Sequence, residues 1–230
     1  ITIRADDASL TVNGKVDRVD GWLKDGKLYL RVVDYKSGAK PFRLADIVNG
    51  LNLQMFLYLF NVCADGSNPY AGVPAGVLYM HAARSVMTVE TKSSAEKDIA
   101  GQEDKAFGMN GIVITNPDCD IPAAMEHDLA GKYIPVRLKK SGVGGSLASL
   151  EQLGLLQRKI EALVADMGNA LQNGQIGQHP VQAKDHDKTC EYCDFASVCA
   201  FKKSVTPRTY DDQTDSAVLA ELEKEGESHA

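Results

Sequence analysis

Polar and apolar positions alternate through the opening of the chain. Leu10, Val12, Val16 and Val19 are spaced among polar residues, and Leu28-Tyr29-Leu30-Arg31-Val32-Val33 is rich in β-formers, so residues 8–34 predict two or three strands. Asp25-Gly26 between them is a hairpin-turn pair. The period then changes. Leu44, Ile47, Val48, Leu51, Met55 and Leu59 recur at helical spacing and predict one helix over 44–62. A turn-rich stretch, 64–74, precedes strands at 76–80 and 86–91 and a polar helix over 94–107. A short strand is predicted at 112–114, a helix from Asn116-Pro117-Asp118 to about His127, and a strand over 133–138. Ser149 is suited to cap a long helix that carries Leu153, Leu156, Ile160, Leu163, Met167 and Leu171 as a core-facing stripe. Residues 174–208 read as loop, and no internal repeat is present. Strands mixed with helices predict one α/β domain built around a mixed sheet.

Composition changes this picture little; the placement of charge changes it more. The chain has 230 residues, 44% hydrophobic and 24% charged, enough to bury a sizeable core. No apolar run approaches the roughly 20 residues that span a bilayer, and no secretory signal opens the chain. It begins with Ile1 and enters strand-like sequence at once, which is expected of a piece of a longer polypeptide. The net charge of −6 sits in residues 211–230, where seven acids face only Lys224; the other 210 residues hold 24 charges of each sign. A nucleic-acid partner is therefore not excluded by the acidic pI of 5.4. The acidic segment is expected to be a mobile, solvated end.

The chemistry concentrates in Gly14-Lys15-Val16-Asp17-Arg18-Val19-Asp20 and Val32-Val33-Asp34-Tyr35-Lys36-Ser37-Gly38. Strand periodicity places Asp34 and Lys36 on one side of their strand, and a hairpin brings Asp17 alongside. Two carboxylates aimed at one point suit a hard divalent cation such as Mg²⁺. A lysine beside them can orient a water or stabilise charge developing on a phosphate. The same spacing is also that of an exposed ion pair at a strand end. Gln54 and Tyr58, at i and i+4, share one helix face. Five cysteines are present, and Cys190, Cys193 and Cys199 fall within ten residues. That clustering points to metal or Fe–S ligation, with His179 or His186 as a fourth ligand if the metal is zinc. Cys63 and Cys119 read as structural thiols, and His81, His127, His179, His186 and His229 as structural or surface groups. Lys132, Arg137, Lys139 and Lys140 make a basic strand and turn suited to a DNA backbone or to a solvated edge. Gly142-Val143-Gly144-Gly145-Ser146 reads as flexible and lacks the Lys-Ser/Thr of a phosphate loop.

The order Gly-x-Val-Asp, Val-Asp-Tyr-Lys-Ser-Gly and Gln54-x-x-x-Tyr58 resembles the RecB-type branch of the PD-(D/E)XK nuclease superfamily. Pro74-Ala75-Gly76-Val77-Leu78-Tyr79-Met80-His81, Met109-Asn110-Gly111-Ile112-Val113-Ile114 and the Cys-x-x-Cys-x5-Cys run extend the likeness over roughly residues 10–203 to AddB-type nuclease domains. The resemblance implies a restriction-endonuclease-like mixed sheet flanked by helices over 1–175, a cysteine-rich staple over 176–208 and an acidic tail over 209–230. It implies an Mg²⁺- or Mn²⁺-dependent deoxyribonuclease, an exonuclease in a cytoplasmic helicase–nuclease of double-strand-break repair, paired with an AddA-type subunit on DNA. Asp17, Asp34 and the Tyr35 carbonyl would hold the metal, Lys36 would be catalytic, and Gln54 and Tyr58 would support the site. Asp20 is the lesser candidate, because the family's aspartate directly follows Gly-x-Val. Cys190, Cys193 and Cys199 would hold a [4Fe–4S] cluster in the full-length protein with a fourth, upstream cysteine; in this piece the cluster is expected to be absent or replaced by zinc. The family's further metal ligand, often a His on a preceding helix, has no counterpart, since none of the 16 residues before Asp17 is His. A stand-alone CRISPR-associated exonuclease, or a non-catalytic module that holds DNA or a partner, are the alternatives.

Overall fold

A computed structural model describes residues 2–4, 9–38, 40–64, 69–82, 107–183, 190, 193–199 and 207–228. In chain order the elements are β1 (Thr2–Arg4), β2 (Ser9–Thr11), β3 (Arg18–Lys24), β4 (Lys27–Lys36), α1 (Leu44–Val48), α2 (Gln54–Cys63), β5 (Val73–His81), β6 (Asn110–Thr115), α3 (Ile121–Met125), β7 (Val136–Lys139), β8 (Gly142–Gly145), β9 (Leu147–Ser149), α4 (Leu150–Gln172), β10 (Val181–Ala183), α5 (Ala196–Cys199), β11 (Arg208–Tyr210) and α6 (Asp215–Ser228). They fall into two units, one of residues 14–42 and 54–154, the other of residues 1–13, 43–53 and 155–230.

The first of these is built on a five-stranded sheet of order β3-β4-β5-β6-β9. Pairing alternates: β3 and β4 are antiparallel, β4 and β5 parallel, β5 and β6 antiparallel, β6 and β9 parallel. The mixed sheet flanked by helices is the α/β architecture expected. Asp25 at φ 50° and Gly26 at φ 74° form the left-handed pair that a two-residue hairpin requires. One sheet face buries Tyr29, Val33, Ala75, Leu78 and Val113 against Ile121, Leu129, Ile134 and Val136. On the other face lie α2, with Met55, Phe56 and Leu59 fully buried, and Phe42, whose ring stands 6.2 Å from Phe56 and 6.4 Å from Tyr79. Ser149 caps α4 as expected: its Oγ accepts from the Gln152 N–H at 3.1 Å, and Gln152 Oε1 accepts from the Ser149 N–H at 2.8 Å, a reciprocal capping box.

The other unit holds the antiparallel pair β1–β2, the parallel pair β10–β11, and helices α1, α5 and α6 with most of α4. Asp46 on α1 ties it together. It accepts from Tyr210 Oη at 2.6 Å, Arg43 Nη2 at 3.1 Å and Asn52 Nδ2 at 3.1 Å. The Leu44 N–H at the start of α1 donates to Asp215 on α6 at 2.8 Å.

Several local expectations are corrected. The single helix over 44–62 is two helices, because Gly50 (φ 87°) and Asn52 (φ 55°) adopt left-handed conformations that end the first. The helix expected from Asn116 is the short α3, capped by Asp120, whose carboxylate accepts from the Ala123 N–H at 3.1 Å. The glycine run over 142–146 is not a loose loop but strand β8, paired with β7. The acidic end is not a solvated tail: residues 215–228 form α6, which buries Val218, Leu219 and Leu222. Within the stretch expected to be loop, 181–183 pairs with 208–210. The strand expected at 86–91 and the helix expected over 94–107 lie outside the described residues, apart from Phe107.

Candidate active site

Asp34 sits near the end of β4, two residues after the wholly buried Val32 and on the same side of the strand. It is itself buried. Lys36, the next residue on that side, places its Nζ in direct contact with Asp34 Oδ2. The contact lies off hydrogen-bonding geometry, and Oδ2 has no hydrogen-bond partner. The ammonium stands 5.5 Å from the centre of the Tyr79 ring, and Tyr79 is the β5 residue in register with Asp34.

Asp17 is delivered by the hairpin. Arg18 pairs with Val33 in the antiparallel β3–β4 register, so the next step along places Asp17 opposite Asp34. The Asp17 carboxylate is fixed there by the Tyr35 N–H, which donates to its Oδ2 at 3.1 Å. Asp17 is exposed where Asp34 is buried, so the pair has one carboxylate facing solvent and one facing the sheet. The Tyr35 side chain points to the opposite face from Asp34, where its hydroxyl accepts from Arg18 Nη1 at 3.3 Å.

Asp20 is on that opposite face too. It accepts from Arg18 Nε at 2.7 Å and from Arg31 Nε at 2.9 Å. Partial burial pushes its carboxyl up, but the two guanidinium hydrogen bonds outweigh that and hold it below the ordinary carboxylate range. Asp20 is thereby neutralised within the protein and separated from Asp34 by the sheet.

Gln54 and Tyr58 lie one turn apart on α2, and Gln54 Nε2 donates to Tyr58 Oη at 2.8 Å. The Tyr58 ring rests against the backbone at Gly14: a Cβ there would overlap ring carbon Cε1 and lie 2.7 Å from Oη. Tyr58 thus seats the loop that carries Asp17 three residues later. Nothing in the sequence signals this contact, since only the fold brings residues 14 and 58 together. The proximity of Tyr79 to Lys36 was equally hidden.

The donor set suits a hard cation. Asp34 presents a buried oxygen with unfilled capacity, Asp17 a second carboxylate across the strand pair, and the Tyr35 carbonyl lies between Asp34 and Lys36 in sequence. Among the described residues no group of three or more His, Cys, Asp or Glu is assembled for a metal. In the other unit, Cys190, Cys193 and Cys199 are free thiols, the first and last half-buried and Cys193 exposed. The Cys193 N–H donates to the Cys190 carbonyl at 3.4 Å, and the Cys199 N–H to Phe195 at 2.8 Å on the short α5. Cys63 is a different kind of thiol: burial pushes it up to about 12, which leaves it protonated and unreactive.

A buried strand-end aspartate, a lysine two residues on and a second carboxylate across a hairpin are the residues that carry the resemblance to one nuclease family. The model of that family, the PD-(D/E)XK nuclease superfamily, matches residues 2–200. The chain belongs to the PD-(D/E)XK nuclease superfamily. Curated relatives are named as B-type subunits of an ATP-dependent helicase/deoxyribonuclease. The protein from Oceanobacillus iheyensis is 33% identical over 96% of this chain, that from Bacillus thuringiensis 31% over 94%, and that from Clostridium kluyveri 29% over 93%. The chain spans about a fifth of the length of these relatives. Among the described residues, no helix is long and apolar enough to cross a membrane.

Proposed function

We propose that this superfamily domain hydrolyses DNA phosphodiester bonds with a divalent metal, as the exonuclease part of a cytoplasmic AddAB-type helicase–nuclease in double-strand-break repair. The AddA-type subunit would be its partner. The observation that carries the reading is the buried Asp34 Oδ2, which lacks a hydrogen bond while Lys36 stands against it. A buried carboxylate held against a single movable ammonium, and not against fixed hydrogen-bond donors, can take a metal cation as a further partner.

In this reading Asp17, Asp34 and the Tyr35 carbonyl hold Mg²⁺ or Mn²⁺, which when bound supplies Lewis-acid activation of phosphate and water. Lys36 offers its ammonium to charge developing on the scissile phosphate. The Tyr35 N–H holds Asp17 in place, and Tyr58, tethered by Gln54, seats the Gly14 loop. Cys190, Cys193 and Cys199 supply three soft thiolates to a [4Fe–4S] cluster in the full-length protein, with a fourth cysteine from outside this chain.

The test is Asp34→Ala in the full-length two-subunit enzyme with the partner's nuclease disabled. Cleavage of one strand of a linear duplex should fall below detection. Cleavage at the normal rate would show that the site lies elsewhere.

A further inference from the structure

Residues 129–150 contain Lys132, Arg137, Lys139 and Lys140 and not one Asp or Glu, in a chain whose net charge is −6. The β7–β8 hairpin gives these cations a shape. Strand alternation puts Val136 and Leu138 on one face and Arg137 and Lys139 on the other. Arg137 is in register with Gly144 and Lys139 with Gly142, so the cationic face is two long basic side chains beside bare backbone. Leu138 is in register with Val143, and both are exposed. Lys140 follows at the turn. Arg137, Lys139 and Lys140 are exposed, and among the described residues none of them takes part in an ion pair.

The segment starts at the reacting end of the sheet. Asp34 is in register with Tyr79, and Tyr79 with Asn110. The N–H of Met109, the preceding residue, donates to the Tyr133 carbonyl at 2.9 Å. Tyr133 is therefore about three strand spacings from Asp34, ~14 Å across the sheet, and Ile134 and Val136 after it pack on the Val33 face, opposite Asp34. Its side chain is 43% exposed, and Lys132 Nζ stands 5.2 Å from the ring centre. An exposed ring followed by unpaired cations on a strand with a glycine partner matches what a single strand needs: a stacking platform and a charged track for its backbone.

We propose that residues 132–144 form a binding track for single-stranded DNA, with Tyr133 stacking on a base and Arg137, Lys139 and Lys140 neutralising phosphates beyond it. The choice of DNA rests on the nuclease reading above; the track itself rests on the charge and exposure of the hairpin.

The test is fluorescence anisotropy of a labelled 20-nucleotide oligothymidylate with the 230-residue chain, in EDTA so that no cleavage occurs. Arg137→Ala/Lys139→Ala/Lys140→Ala should weaken binding about 100-fold at 0.1 M monovalent salt and lower the log–log salt slope by about 2, the values for three lost phosphate contacts on a single strand. Tyr133→Ala should weaken it about 10-fold with the slope unchanged, and should leave binding of an equal-length duplex alone. Arg158→Ala/Lys224→Ala, which removes exposed cations elsewhere, should change nothing. Thermal unfolding by circular dichroism should be the same for all variants, since every altered side chain lies at the surface. Absence of binding by the unaltered chain, or equal affinity and slope for the triple variant, overturns the track. Equal losses on single strand and duplex with no effect of Tyr133→Ala overturn the single-strand assignment. Asp34→Ala should bind normally in EDTA. If that variant cleaved in the full enzyme while the hairpin variants lost binding, the metal site would be misassigned and the track would stand.

Discussion

Asp34 and Asp46 are hidden from solvent to the same degree, at 5% and 4% exposed, and are treated oppositely by their surroundings. Asp46 accepts from a tyrosine hydroxyl, a guanidinium and an amide, each on a different stretch of its unit. Glu126, the third buried carboxylate, accepts from three successive backbone N–H groups of residues 132–134. Asp34 has the ammonium of Lys36 beside it and no hydrogen bond to its buried oxygen. Burial of a carboxylate thus says nothing by itself about function. Where its capacity is filled by fixed donors it is a fastener, and where that capacity is open the protein holds a charge ready for something else.

The role of Lys36 beside Asp34 shows most directly in catalysis. Lys36→Ala should slow turnover about 100-fold or more, the scale of one lost charge-stabilising donor, while metal affinity measured by Mn²⁺ binding stays largely in place. Equal loss of binding and turnover would make Lys36 a structural counter-ion to Asp34 instead.

Stability should sharpen the contrast. Asp46→Ala strands the Tyr210 hydroxyl and the Arg43 guanidinium together and should cost about 3 kcal/mol in urea unfolding. Asp34→Ala removes a buried charge that lacks a hydrogen bond and should leave stability within about 0.5 kcal/mol of the parent or above it. The same large loss for both would mean that Asp34 is a fastener after all. A smaller effect is expected at Gly14→Ala, whose new methyl displaces the Tyr58 ring. Turnover should drop about 10-fold through displaced Asp17, and Gly14→Ala/Tyr58→Leu, which makes room for the methyl, should recover part of it. No recovery would show that the loop is held by something other than Tyr58.

What could be read in advance follows the reach of each interaction. Asp34 and Lys36 share a strand side by a period of two, Asp17 comes across a hairpin signalled by Asp25-Gly26, and Gln54 and Tyr58 share a helix turn. All of these are local geometry, and the sheet followed from them. At Asp46 the shortest of the bonds was invisible because its partner is remote: Tyr210 reaches it across 164 residues. The break at Gly50 and Asn52 was masked by an apolar stripe that continues on both sides of it. In α6, five acids disguised a stripe of only Val218, Leu219 and Leu222. The charge run was legible, but not the packing that orders it.

Glu126 supplies the smallest and most specific contrast, in its response to acid. Burial raises its carboxyl, but the backbone N–H groups of Lys132, Tyr133, Ile134 and Gly131 outweigh this and hold it below the usual glutamate range. A depressed value in the folded state means that Glu126 contributes fully above the unfolded value of about 4.3, and that this contribution is lost as pH falls through the folded value. Glu126→Gln keeps one acceptor oxygen but turns an amide NH₂ toward backbone donors. It should therefore cost about 1–2 kcal/mol at pH 7. The gap between variant and parent should shrink steadily as unfolding is measured from pH 5 down to pH 3, because the parent's own carboxylate is then being protonated. Parallel stability curves across that range would show that these backbone bonds do not depend on the charge. Glu126 would then be an ordinary polar fastener, with no electrostatic part in ordering the segment that leads into the basic hairpin.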